Sequence, residues 1–284
     1  MLKTAVGIAH ADYAQGLVRT NPGLVDFVEI PFEQLFRVPS AIEIKSLVPV
    51  VLHCASLSMA GDVPPDEELT SALERWVRET ETPWLGEHLA YVRADGRILG
   101  GAAHEALLDA SAPYNVGYTV NPQYSAPILE RVVANGEAWS QRLGIPVLLE
   151  NGPTYFSMPG STMSQFEFIQ ALCRRSKGLG LLLDLSHLMI TCANLGLDAM
   201  EMLRLLPLER VVEVHVSGIQ SEGGMSWDDH GKRAPTNVFE LLAALRSRVQ
   251  PRAVTLEYNW DAGFPLDAVV EDVSRVREIM APTS

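Results

Sequence analysis

The chain has 284 residues, 47% of them hydrophobic and 20% charged, with a formal net charge of −13. That is enough apolar material for a large core, and it excludes a disordered composition. The acidity argues against DNA or RNA as a partner, because an acidic surface repels phosphate backbones.

Cys54, Cys173 and Cys192 are odd in number and far apart. They make neither a disulfide framework nor a CxxC thiolate site, and they suit a reducing compartment. The opening stretch MLKTAVGIAHADY is interrupted by His10 and Asp12, so it does not read as a signal peptide. No later run is long enough to span a bilayer. The expected location is the cytoplasm, with no membrane contact.

Eight short apolar runs recur along the chain. The predicted strands are Thr4–Ile8, Phe27–Ile30, Pro49–His53, Trp84–Val92, Pro146–Glu150, Gly180–Asp184, Arg210–Val216 and Ala253–Tyr258. Most are continuous rather than alternating, as strands buried on both faces are. Amphipathic stretches separate them. PPDEELTSALERWVRET has a Pro-rich, acidic start and an apolar face at Leu69, Leu73 and Trp76–Val77. APILERVVANGEAWSQRLG ends on Gly144, which reads as a C-cap. MSQFEFIQALCRRSKG and TNVFELLAALRSRV follow the same plan. This alternation predicts an α/β fold, a single (β/α)8 TIM barrel. A doubly wound sheet would want a Gly-rich phosphate loop after its first strand, and IAHADYAQG is not one. One long segment, at about 93–120, falls outside the repeat and reads as a lid-like insertion over the barrel mouth. With no linker and no low-complexity run, residues 1–284 read as one domain.

The informative feature is where the ionisable residues fall. Nearly every predicted strand carries one at or near its C-terminal end: Glu29, His53, Glu87 with His88, Glu150 with Asn151, Asp184 with His187 close behind, Glu213 with His215, and Glu257. The loop after the seventh strand adds Asp228, Asp229 and His230. In a β/α barrel, groups from different strand ends converge at one rim. Taken singly, a strand-end His or Asp is as readily a core residue or a helix N-cap. Taken together, so many buried charges need a partner, and a multivalent cation is one. Imidazole and carboxylate donors without thiolate suit such an ion.

Strand periodicity orders the candidates. Glu213 and His215 share a face, inward or toward the helices. Glu87 and His88 do not share one, and His88 is favoured as the ligand with Glu87 as a catalytic-site partner supporting it. His10 is a weaker candidate. His104, in the predicted lid, reads as solvated or substrate-facing.

The ordered set VVLHC, GEHLAY, VLLENGPTY, GLLLDLSH, VVEVHVSG, DDHG and VTLEY resembles the multinuclear non-haem iron-dependent oxidative enzymes, a family that includes the methanobactin-biosynthesis oxidase. The likeness runs from Val6 to the last helix. It implies a barrel binding two or three iron ions with O2 as co-substrate. His53 and His88 would hold one iron. Glu150 would bridge it to a second, held also by Asp184, His215 and Glu257. Asp228 and His230 would hold a third, with His187. This chain has Ser186-His187 where Asn-Asn is commonest, and Gly86 where Ser is common; a His is a competent ligand. The family oxidises ribosomally made precursor peptides, often at Cys, so the resemblance implies a peptide substrate. It also implies a separate leader-recognition partner, because the chain is almost all barrel.

Two rival readings stand beside this one. The first is a divalent-metal-dependent TIM-barrel hydrolase or sugar isomerase, since those enzymes also place His, Asp and Glu at strand ends. The second is a barrel that binds a peptide without turning it over. Missing ligands would mark it, and the core set is intact.

Overall fold

The computed structural model describes residues 3–11, 13–94, 114–258 and 265–282. Eight parallel strands close into a barrel. In chain order these are β1 (Ala5–Ala9), β2 (Phe27–Pro31), β3 (Val50–Cys54), β4 (Leu85–His88), β7 (Val147–Glu150), β8 (Gly180–Asp184), β9 (Val211–Val216) and β12 (Ala253–Leu256). The barrel is closed in the order β1-β12-β9-β8-β7-β4-β3-β2. Each strand falls on one of the predicted runs, and the TIM barrel expected from their alternation is the fold.

The continuous apolar runs are explained by two cores. Inside the barrel, Phe27, Val51, Trp84, Leu148, Leu182 and Ala253 form an apolar layer. Gly7 faces it, and a Cβ there would meet the Phe27 ring at 2.5 Å. The other strand face packs on the helices in a larger cluster that includes Leu52, Leu73, Leu149, Leu183 and Val254. Helix Glu67–Thr80 opens on Asp66, whose side chain accepts the Leu69 N–H, and it buries Leu73, Trp76 and Val77. Helix Ala126–Leu143 stops at Gly144, which adopts the left-handed conformation (φ 70°) expected of it.

Two features differ from the predicted strands. The run Trp84–Val92 is not one strand. After His88 the chain turns, with the Ala90 N–H donating to the His88 carbonyl. It then leaves the barrel as β5 (Tyr91–Ala94), which pairs antiparallel with β6 (Tyr114–Val120). Ser58 anchors this ribbon by accepting the N–H groups of Val92 and Arg93 at 2.9 and 3.1 Å. The expected lid is therefore in part a β-ribbon; its middle, 95–113 with His104, lies outside the described residues. The second feature is a short hairpin, β10 (Ile219–Glu222) and β11 (Met225–Asp228), between β9 and the next helix. Its tight turn uses Gly223 and Gly224, both at positive φ.

Candidate metal centre

The register of the barrel carries the candidate residues to one rim. Cα partners pair His88 with Glu150 and Asp184 with His215 on adjacent strands. Glu257 follows the last residue of β12, which pairs with Val216. Four sets of side chains place their ligand atoms within 4.8 Å of one another: Glu29, His53 and His215; His53, His88 and Glu150; Glu150, Asp184, His215 and Glu257; and His187, Asp228 and His230.

Glu150 joins two of these sets. One carboxylate oxygen lies 3.2 Å from both His53 Nε2 and His88 Nδ1. The other lies 3.3 Å from His187 Nδ1 and 3.9 Å from His215 Nδ1. Neither oxygen has a hydrogen-bond partner, although the residue is buried. Burial pushes this carboxyl up, but His88, His187, His53 and His215 outweigh it and hold the pKa at about 2. His53 and His88 face each other Nε2 to Nε2 at 3.2 Å. A neutral imidazole offers one bare nitrogen, so that approach needs a proton or a cation between the rings. Burial depresses the His53 pKa to about 3, the attraction of Glu150 notwithstanding, which keeps this ring neutral and free to ligate.

His215 has a carboxylate at each ring nitrogen. Nε2 is 3.1 Å from Glu29 Oε2, and Nδ1 is 3.0 Å from Glu257 Oε2. Nδ1 makes no aligned hydrogen bond, so the ring turns its free nitrogen to the cluster and its other edge to Glu29. This is how a carboxylate orients a metal-ligating imidazole. Glu29 itself is pushed up to about 8, chiefly by burial. Glu213 faces inward as well, one of the two orientations its strand allowed. It accepts Trp84 Nε1–H at 2.6 Å and the Thr255 hydroxyl at 2.8 Å, below the cluster.

Asp184 resolves the choice between helix cap and site residue by being both. Its Oδ1 accepts the His187 N–H at 2.6 Å, capping helix Leu185–Leu195, while its buried Oδ2 has no hydrogen-bond partner. The cap fixes His187 in the first helical turn. There Nδ1 lies 2.8 Å from the Asn151 carbonyl, and Nε2 lies 3.3 Å from Asp228 Oδ2 with no hydrogen-bond partner. His230 Nε2 reaches the same Asp228 oxygen at 2.9 Å. Burial would lower the His230 pKa, but Glu257 and Asp228 outweigh it and raise it to about 9.

Some expected members lie elsewhere. Glu87 faces the helices, and its carboxylate accepts the backbone N–H groups of Leu57 and His88. The expected support of the His88 ring by Glu87 is thus replaced by a backbone contact, because adjacent strand residues point to opposite faces. Asp229 closes the turn after β11 by accepting the Gly231 N–H. His10 lies 3.1 Å from Gln34.

Other contributors were not singled out from sequence. Asp272, buried in helix Leu266–Met280, holds Arg233 in a bidentate pair at 2.8 Å and 2.8 Å and accepts the Tyr258 hydroxyl at 2.8 Å. The Tyr258 oxygen in turn accepts the Ala234 N–H. One carboxylate therefore ties down the loop that carries His230 and the strand end that carries Glu257. Its partners Arg233 and Tyr258 are 39 and 14 positions away in sequence, and no local pattern marks it.

The residues fit metal ions. Glu150, Asp184, His187, His215 and Asp228 all leave buried side-chain atoms without a hydrogen-bond partner. Each such atom costs about 1–3 kcal/mol if nothing satisfies it, and a multivalent cation satisfies several together. The donor set is imidazole and carboxylate, the hard and borderline ligands that iron, manganese and zinc accept.

Fold and site together define a class: a TIM-barrel enzyme whose strand-end imidazoles and carboxylates suit a metal-dependent reaction. Residues 5–281 match the family model described as RiPP precursor modification enzyme MbnB/TglH/ChrH. The chain belongs to this family, the multinuclear non-haem iron-dependent oxidative enzymes, as its strand-end motifs indicated. A UPF0276 protein of Anaeromyxobacter sp. (strain Fw109-5) is 29% identical, over 99% of this chain and 94% of its own. Another, of Caulobacter vibrioides (strain NA1000 / CB15N), is 31% identical over 79% of this chain and 75% of its own. Among solved structures, a xylose isomerase-like TIM barrel protein from Mycobacterium smegmatis in complex with magnesium has a TM-score of 0.57 at 12% identity, covering 99% of this chain and 97% of that one. Endonuclease IV from Thermus thermophilus has a TM-score of 0.55 at 16% identity, covering 97% of this chain and 98% of that one. Those likenesses are of fold alone.

Proposed function

We propose that this protein binds two or three iron ions and uses O2 to modify a ribosomally made precursor peptide oxidatively, often at a Cys. The observation that carries the reading is Glu150: a buried carboxylate with two unpartnered oxygens, each facing a different set of imidazoles. A group so placed is suited to bridging two cations. In this reading His53 and His88 hold one ion with Glu150. Asp184, His215 and Glu257 hold the second, with Glu29 fixing the tautomer of His215. His187, Asp228 and His230 hold the third.

Bound iron supplies redox exchange with O2 and an open position for a substrate thiolate. The chain's own groups set the stage for it. The Asn151 carbonyl accepts a hydrogen bond from His187 Nδ1–H and leaves Nε2 free toward Asp228. Glu29 does the same for His215. Tyr155 packs against Trp227 at the mouth, the two rings tilted with centroids 4.9 Å apart. A separate protein that recognises the peptide's leader belongs to the proposal. So does a cytoplasmic location, which suits three free cysteines. No helix among the described residues is long and apolar enough to cross a membrane.

The test is metal analysis of protein purified without air, followed by O2 uptake with the precursor peptide encoded beside its gene. Two to three irons per chain and peptide-dependent O2 consumption are expected. Zinc, magnesium or manganese with sugar isomerisation and no O2 uptake would establish the rival isomerase reading instead.

A further inference from the structure

Above the candidate ligands opens a cavity of about 280 Å³, with His88, His187, Asp228, His230 and Glu257 in its wall. The rest of its wall is mostly apolar and partly aromatic: Tyr118 on β6, and Tyr155, Phe156 and Met158 on the loop after β7. No Lys or Arg lines it among the described residues. Tyr118 is 63% exposed and Phe156 62%, and Trp227, on the adjoining β11, is 41% exposed. Large exposed aromatics gathered at one rim mark an interaction site. The loop that presents Phe156 is held in place. Asn121 Nδ2 donates to the Pro153 carbonyl at 2.5 Å, and Gln165 Nε2 donates to the Gly152 carbonyl at 2.8 Å. Gly152 itself lets Asn121 approach, since a Cβ there would meet Asn121 Oδ1 at 2.6 Å. An aromatic side chain on an anchored loop binds without first losing much conformational freedom.

From this we infer that the mouth selects peptides with an aromatic or large aliphatic residue directly beside the residue being modified, seated between Tyr118, Phe156 and Met158. The volume suits one such side chain next to a small reacting one. An acidic neighbour is disfavoured, because no Lys or Arg lines the wall among the described residues to pair it. The inference rests on the reading of this mouth as the place where the peptide is modified.

The test uses anaerobically purified protein, so that binding is read without turnover. The probes are fluorescently labelled Gly-Xaa-Cys-Gly and Gly-Cys-Xaa-Gly peptides with Xaa as Phe, Leu, Ala or Asp, followed by anisotropy. Phe and Leu peptides should bind about tenfold more tightly than Ala peptides, and Asp peptides more weakly still. F156A and Y118A should reduce that preference to within about threefold and leave the iron content unchanged. Equal binding across the series, no binding by any member, or a preference that survives both substitutions would overturn the inference. Turnover in air of the precursor peptide encoded beside the gene separates it from the reading beneath it. Apolar preference without O2-dependent modification sinks the oxidative chemistry and leaves the pocket assignment standing. Modification without preference sinks the pocket alone.

Discussion

At the scale of single residues, the site depends on side chains that never meet an ion. Glu29 stands behind His215, and Glu29→Gln removes a carboxyl that becomes a charged acceptor once a bound cation displaces its proton. The expected result is roughly a 10- to 100-fold loss of metal affinity with the barrel intact, read by competition with a chromogenic chelator. Gly86 acts by absence. A Cβ there would sit 2.6 Å from His53 Nδ1 and 2.8 Å from Leu182 Cδ1. Gly86→Ala therefore pushes the His53 ring out of line with His88. Its expected cost is about 1–3 kcal/mol of stability and a loss of occupancy in the His53–His88 set, measured by urea unfolding and metal content. From the sequence Glu29 was only one more strand-end acid. Its meeting with His215, 186 positions away, is a product of barrel closure.

Elements decide which of these residues share a space. The apolar runs marked the strands because strands buried on both faces have few polar positions. The ends were less legible. Trp84–Val92 is one apolar run, yet only Leu85–His88 pairs as a barrel strand, because the Ala90 turn and Ser58 draw the end of the run into a ribbon. Helix Leu266–Met280 shows the same limit from the other side. Nothing in its local pattern marks the buried Asp272, yet in the fold it clamps Arg233 and Tyr258. Asp272→Asn should loosen the loop that holds His230. The expected cost is about 1–3 kcal/mol and selective loss of the ion bound by His187, Asp228 and His230. Unfolding and metal counts would register both, and full occupancy in the variant would contradict the clamp.

For the whole molecule, the concentration of charge at one rim makes the metal-free protein sensitive to pH. Burial raises Asp184 to about 7 and Glu29 to about 8, and the carboxylates around His230 raise it to about 9. Each of these groups holds its proton more tightly folded than unfolded. Its stabilising contribution is complete below the unfolded pKa and is lost as pH climbs through the folded one. Metal-free protein should therefore lose stability from about pH 6.5 to pH 9, as His230 joins the carboxylates in deprotonating. Bound cations replace those protons, so the loaded protein should hold its Tm over the same range. Thermal unfolding of both forms across that interval is the measurement, and parallel profiles would contradict it.

Local chemistry written along the chain was enough to establish the barrel, the approximate strands, the family and the collection of acids and imidazoles at strand ends, because periodicity and composition are local properties. Closure of the sheet alone decided that Glu150 faces two imidazole sets, that Glu213 points inward, that Glu87 turns away, and that Glu29 and Asp272 support the rim. Those outcomes depend on the register and approach of segments distant in sequence, and such contacts exist only once eight strands have closed on one another.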